Sequence, residues 1–210
     1  MRDSHFLHLH EKYKISKKGV LHIGAHEGQE YQYYNKLGLP KVLFVEANPE
    51  VYARLCKNVS KFPEVCTHCC AISNKIETTE FHVTSMDQSS SILPLGLHKI
   101  DFPTIKETKK IQVCCTTIDA LLLDLKQNAD DYNFLNIDIQ GAELMAFEGA
   151  TNLLKNNIQL INTEVNYVEM YKGCALKNQI DEFLSQFGFI CVETIDYSKN
   201  RWGDAVYVKK

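Results

Sequence analysis

Short apolar runs alternate with segments of helical periodicity along almost the whole chain. This alternation restricts the fold more than any other feature, because strands separated by helices must cross over and lie parallel. Residues 20–24 (VLHIG), 41–47 (KVLFVEA), 64–73, 134–138 (FLNID) and 158–166 (IQLINTEVN) read as strands. Residues 28–37 read as a helix stopped by Gly38 and Pro40. Asn48-Pro49 reads as an N-cap followed by the first helical residue, after which Val51, Leu55, Val59 and Phe62 share a face. Helices are also expected over 142–154 and over 176–187, where Ile180, Phe183, Leu184 and Phe187 recur at helical spacing. Two last strands, 189–195 and 204–209, follow one another through a short polar loop and should pair antiparallel. The expected fold is a doubly wound, Rossmann-like α/β sheet with helices on both faces, forming one domain over residues 1–210. Residues 1–18 read as an N-terminal arm. Residues 80–118 read as an insertion, with two strand-like runs around a long polar loop of the length that functional loops often have.

Of the 210 residues, 45% are hydrophobic and 23% are charged, and the net charge is −3. A general nucleic-acid binder would carry a basic excess. No apolar run is long enough to span a membrane, and the first fourteen residues lack the apolar core of a signal peptide. The eight cysteines fall largely within strand-like runs, which suits reduced thiols in an intracellular, cytoplasmic protein. Cys66-x-x-Cys69-Cys70 has the spacing of half a zinc site but no second half, and reads as strand. His5, His8 and His10 alternate along HFLHLH, which reads as a short strand or arm; no metal is expected there.

In such a sheet, ligands sit beyond the carboxyl ends of the strands where the strand order reverses. The first strand ends in LHIGAHEGQE. Gly24 permits a sharp turn and close approach of a ligand, and Gly28 opens the next helix. The fragment lacks the middle glycine that makes room for a pyrophosphate in dinucleotide sites. Glu46 ends the second strand, where an acid accepts hydrogen bonds from both hydroxyls of an adenosine ribose. NAD and S-adenosylmethionine both present that ribose.

The antiparallel final pair separates the two cofactors, because it is similar to the class I methyltransferase fold. The sequence resembles the FkbM family of S-adenosylmethionine-dependent methyltransferases, from about Gly19 to Lys209. The resemblance is carried by HIGAHEGQE (22–30), FVEANPE (44–50), AISN (71–74), FLNIDIQGAELMAFEGA (134–150), TEVN (163–166) and WGDAVYVKK (202–210). It implies a seven-stranded, mostly parallel sheet with an antiparallel last strand. It also implies that Gly24, Ala25, His26 and Gly28 line the methionine part of the cofactor, and that Glu46 holds the ribose with Ala47 and Asn48 beside the adenine. Ala71 and Ile72 would flank the adenine, and Asp138 would stand next to the reacting methyl. The family pattern has an Asp where this chain has His22. Either a ring nitrogen of His22 takes the contact to the cofactor's amino-acid part, or that contact moves elsewhere and His22 is a core histidine. Related domains often accompany, or are fused to, glycosyltransferases, which makes a sugar or glycan hydroxyl the expected acceptor, first of all a deoxysugar such as rhamnose.

A sugar hydroxyl is a poor nucleophile at neutral pH, so transfer to it is helped by a positioned base. Asp138 and Glu164 end neighbouring strands and are the expected catalytic pair, one as base and the other orienting the acceptor. With Asn166 they also offer oxygen ligands suited to magnesium, although no metal is expected. Glu143 reads as a first-turn acid complementing the helix dipole. Ser89, Ser90 and Ser91 lie in a polar loop resembling one that covers the cofactor in related proteins. Asn166, Tyr167, Trp202 and Asp204 complete the expected acceptor contacts; Trp202 supplies a flat apolar face and Asp204 an acceptor. Two rival readings are an NAD-dependent oxidoreductase, disfavoured by the missing glycine, and a non-catalytic domain that keeps the fold and binds the cofactor or a partner.

Overall fold

The computed structural model describes residues 2–210, with side chains from Phe6 onward. The chain begins with α1 (Arg2–Lys12), where the sequence suggests an extended arm. HFLHLH alternates, but Phe6, Leu9 and His10 also share one helical face, and all three are buried. The rings of Phe6 and His10 pack 5.2 and 5.9 Å from that of Phe134, and the helix gains that burial where a strand would have no partner. The His5 side chain lies outside the described residues.

There follow β1 (Gly19–Ile23), α2 (Tyr31–Leu37), β2 (Lys41–Glu46), α3 (Pro49–Val59) and β3 (Val65–Cys69). Asn48 caps α3 through a 3.1 Å bond accepted from the Glu50 N–H, with Pro49 in the first turn. The run 64–73 is not one strand. It breaks at the buried Cys70, and β4 (Ala71–Ile72) leaves for a second sheet formed with β5 (Glu77–Thr84) and β6 (Glu107–Thr116). Between these two lies a one-turn helix, α4 (His98–Asp101). A helix not read from the sequence, α5 (Ile118–Asp124), starts at Thr117, whose hydroxyl accepts from the Ala120 N–H. After β7 (Tyr132–Ile137), the expected 142–154 helix is two, α6 (Glu143–Glu148) and α7 (Thr151–Asn156). They meet at Gly149, where a Cβ would lie 2.3 Å from the Ser73 carbonyl oxygen, so the joint passes too close to the neighbouring turn for any side chain. The chain ends with β8 (Leu160–Asn166), α8 (Lys177–Ser185), β9 (Phe189–Asp196) and β10 (Trp202–Lys209).

The main sheet has the order β3-β2-β1-β7-β8-β10-β9. The strands from β3 through β8 run parallel, and β10 lies antiparallel between β8 and β9. This is the class I methyltransferase arrangement. Alternate residues face opposite helical layers. Leu21, Ile23, Leu135 and Ile137 pack with Ile118, Phe147 and Leu153, whereas Val20, Phe44 and Phe134 pack with Phe6, Tyr34 and Leu55. Each such side chain contributes roughly 1.5–3 kcal/mol when fully buried. No helix among the described residues is long and apolar enough to cross a membrane.

Candidate active site

The strand order reverses between β1 and β7, and their carboxyl ends open into a crevice. Gly24 turns the chain there with φ of +81°. Its N–H and that of Ala25 both donate to the Val45 carbonyl, at 2.9 and 3.0 Å. A Cβ on Gly24 would stand 1.8 Å from the Asp138 carbonyl oxygen, so only glycine fits between β1 and the end of β7. Glu46, at the end of β2, is buried; its Oε2 accepts from the His26 N–H at 2.9 Å and its Oε1 from the Asn48 N–H at 2.8 Å. Burial raises its carboxyl above the usual range, against the pull of those two bonds. Each oxygen keeps a further lone pair, and the acid borders a cavity whose apolar walls are Ala47, Ala71, Ile72, Phe81 and Ile139.

A wider cleft of about 640 Å³ adjoins this cavity and shares Gly24, His26, Gln88, Asp138 and Gln140 with it. Asp138 is exposed, whereas Glu143 and Glu164 are buried, and an oxygen of each lies within 4.8 Å of the others. Gln140 organises the group. Its Nε2 donates to Asp138 Oδ1 at 2.8 Å and to Glu164 Oε2 at 2.9 Å. Tyr171 donates its hydroxyl to Gln140 Oε1 at 2.5 Å, which fixes the orientation of that amide. Glu143 Oε1 accepts from the N–H groups of Ile139 and Gly141, at 3.0 and 3.1 Å, and so clamps the turn after β7. In that turn Gln140 takes a left-handed φ of +57°. Burial first, and the charge of Asp138 second, raise the Glu143 carboxyl to about 7. The same causes, with Glu143 and Asp204 added, raise Glu164 well above its ordinary value. Negative charge in the cluster is therefore best tolerated at Asp138, its solvent-facing member.

A family model described as the methyltransferase FkbM domain matches residues 22–191. The chain belongs to the FkbM methyltransferase family. Among solved structures, the FkbM methyltransferase of Methylobacillus flagellatus KT superposes with a TM-score of 0.60 at 13% identity, over 91% of this chain and 43% of that one. A SAM-dependent methyltransferase from Aquifex aeolicus gives 0.53 at 13% identity, over 99% of this chain and 89% of that one. The SAM-bound magnesium protoporphyrin IX methyltransferase of Synechocystis PCC 6803 gives 0.50 at 10% identity, over 100% and 78%. This chain spans less than half the length of the M. flagellatus protein. No curated protein matches it.

Of the residues that the FkbM resemblance points to on the cofactor side, Gly24, His26, Glu46, Ala47, Ala71, Ile72 and Asp138 line the narrower cavity. Ala25 turns into the core, Gly28 packs against Leu55 and Val59, and Asn48 is occupied in capping α3. His22 borders the wider cleft but is 3% exposed, packed on Tyr34 and Phe44. Its Nδ1 lies 3.1 Å from the Tyr34 hydroxyl and its Nε2 3.3 Å from Asn136 Nδ2. Asn136 also donates to Tyr34 at 2.7 Å and accepts from Asn162 at 2.8 Å. A proton on Nδ1 lets every member of this network donate and accept consistently, and we assign that tautomer on those grounds.

On the acceptor side, Ser89, Asn166, Trp202 and Asp204 line the wider cleft with Glu164, and Ser90 lines the narrower cavity. The Tyr197 hydroxyl donates to Asp204 at 2.9 Å, and its ring lies 5.2 Å from that of Trp202. Ser91 instead donates to the Ile139 carbonyl, and Tyr167 packs on the main core away from the cleft. Residues not found by reading the sequence include Gln140, His98, Phe102 and Met170. Gln140 stands within the conspicuous DIQGAE run, and that run was its available signal. His98 comes from the segment after β5, which docks through the N–H groups of Gly96 and His98 on the Met170 carbonyl.

Proposed function

We propose that this protein transfers a methyl group from S-adenosylmethionine to a hydroxyl of a sugar or glycan, with a deoxysugar such as rhamnose as the first acceptor to try. The observation that carries this reading is the position of Asp138. It borders both the narrow apolar cavity and the wide polar cleft, and Gln140 holds its carboxylate. The donor set suits the cofactor. Glu46 keeps lone pairs for two ribose hydroxyls, the alanine- and isoleucine-lined walls suit an adenine, and Gly24 leaves room at the turn.

When bound, the sulfonium supplies a methyl already electrophilic enough for direct displacement. The protein then has two tasks, to align the acceptor hydroxyl and to take its proton. Asp138 takes the proton. Glu164, whose burial favours the protonated form, donates to or orients the acceptor oxygen. Gln140 keeps the two carboxyl groups apart in role as well as in space. The Gln140 amide holds one oxygen of each, so the protein itself bridges Asp138 and Glu164. The eight cysteines stand unpaired, which suits a reducing, intracellular compartment.

Calorimetric titration of the cofactor-free protein with S-adenosylhomocysteine, and separately with NADH, tests the cofactor. Binding of the first alone supports the reading, and a rhamnoside screen follows. Binding of NADH would reverse it. Tight binding of S-adenosylhomocysteine without transfer to any hydroxyl acceptor would favour a non-catalytic domain.

A further inference from the structure

Resting on that reading, we propose that Asn166 and His98 recognise the acceptor, and that the acceptor is an uncharged, polyhydroxylated molecule: a sugar already joined to its glycan or aglycone, not a nucleotide-activated one.

Asn166 ends β8, two residues beyond Glu164, and borders the wide cleft. It is 1% exposed, yet neither its Oδ1 nor its Nδ2 has a hydrogen-bond partner. A buried amide left unmatched on both sides is costly, and native interiors rarely tolerate it without a function. A primary amide donates and accepts, as does a hydroxyl, so an alcohol answers both needs. His98 approaches from the segment between β5 and β6. Its ring is held 5.0 Å from Phe102 and 5.4 Å from Tyr171, and its Nδ1 also lacks a partner. Burial lowers its pKa, so it meets a ligand as a neutral imidazole that can donate or accept.

The charge of the cleft narrows the class further. Glu30, Asp138, Glu164 and Asp204 border it, and no lysine or arginine does among the described residues. A diphosphate brought against the Glu30, Asp138 and Asp204 carboxylates would be repelled and would find no cation in the cleft to offset the repulsion. A neutral sugar carries the required hydroxyls without that cost, and Trp202 offers it an apolar face. Its supply must then come from a glycosyl-transfer step that has already removed the nucleotide.

The test uses methyl α-rhamnoside and a small set of other methyl glycosides, with the matching nucleoside-diphosphate sugars. The variants are Asn166→Leu and His98→Phe, the second keeping the ring contacts. S-adenosylhomocysteine affinity should stay within about twofold. The KM for the best neutral glycoside should rise about tenfold or more, with kcat nearly unchanged. Asn166→Leu should keep or raise the Tm, because it removes an unpaired amide; a structural role for Asn166 would lower it. A KM unchanged in both variants overturns the proposal. So does equal or better use of the nucleoside-diphosphate sugar by the wild type, or methylation of no neutral glycoside by a wild type that binds S-adenosylhomocysteine. A wild type that does not bind S-adenosylhomocysteine refutes the underlying functional reading, and this inference with it.

Discussion

Two polar clusters stand a few residues apart on the same strands. Asn136 of β7 and Asn162 of β8 join His22 and Tyr34 within the sheet, where the amide, hydroxyl and imidazole groups pair with one another. Two residues further along each strand, Asp138 and Glu164 face a third carboxyl group at Glu143, and Asn166 lies beyond them with no partner. The first cluster is complete within the protein. The second concentrates like charge and leaves hydrogen-bonding capacity unused. Folding alone would select against the second arrangement, so its persistence at the strand ends marks where another molecule supplies the missing interactions.

The largest effect that separates the clusters should come from Asp138→Asn. We expect turnover to fall at least about a hundredfold while the Tm and S-adenosylhomocysteine affinity hold, as for loss of a general base. Unchanged turnover would remove Asp138 from that role. Next comes pH. Glu143 titrates near 7 in the folded protein and at the ordinary carboxylate value when unfolded, so the folded state holds its proton more firmly. Its contribution to stability is therefore full below about pH 4.5 and lost as pH rises to about 7, on the order of 3 kcal/mol. Urea unfolding across that range should show a slope of this sign, to which Glu164 and Glu46 also contribute, and Glu143→Gln should reduce it. A slope unchanged by the substitution would assign it wholly to those other carboxyl groups.

Asn136→Leu should act in the opposite sense to removal of the Asn166 amide. It removes the Asn136 bonds to His22 Nε2, to the Tyr34 hydroxyl and from the Asn162 amide, and should cost about 2 kcal/mol in denaturant unfolding. No loss would mean that the inner network is as incomplete as the outer one. The smallest effect is expected at the surface. Arg54 pairs with Glu27 at 2.6 Å and with Asp87 of the serine loop, all of them substantially exposed. Arg54→Met should change stability by less than about 1 kcal/mol and cofactor affinity by no more than about threefold. A larger change in affinity alone would show that this ion pair holds the loop over the cofactor.

Local signals in the sequence are decisive where a single residue settles the local structure. Asn48-Pro49 starts α3, and the glycine at 24 marks the crevice. Glu46 ends β2 and Asp138 directly follows β7, as apolar run length implies, whereas Glu164 stands two residues inside the end of β8. The α1 helix is not legible in HFLHLH because those six residues fit both periods, and only the ring of Phe134 and its neighbours decide between them. The break at Cys70 depends on β4 pairing with Cys115 and Thr116, more than forty residues away. Gln140 and His98 depend on a backbone sign and on a docked segment respectively, and neither is written in local composition. Tyr167 and Tyr171 are alike in sequence, yet one packs on the main core and the other reaches Gln140.

The position of β10 also orders how the molecule is made. On the ribosome, β8 and β9 emerge before the strand that must separate them. The half of the sheet from β3 to β8, which carries Gly24, Glu46 and Asp138, can assemble during synthesis. Trp202 and Asp204 arrive only when β10 slides between its neighbours. A nascent chain would thus possess the cavity beside Glu46 before it possesses the cleft wall that carries Trp202 and Asp204, and a ligand that binds that cavity would stabilise the unfinished sheet before β10 is in place.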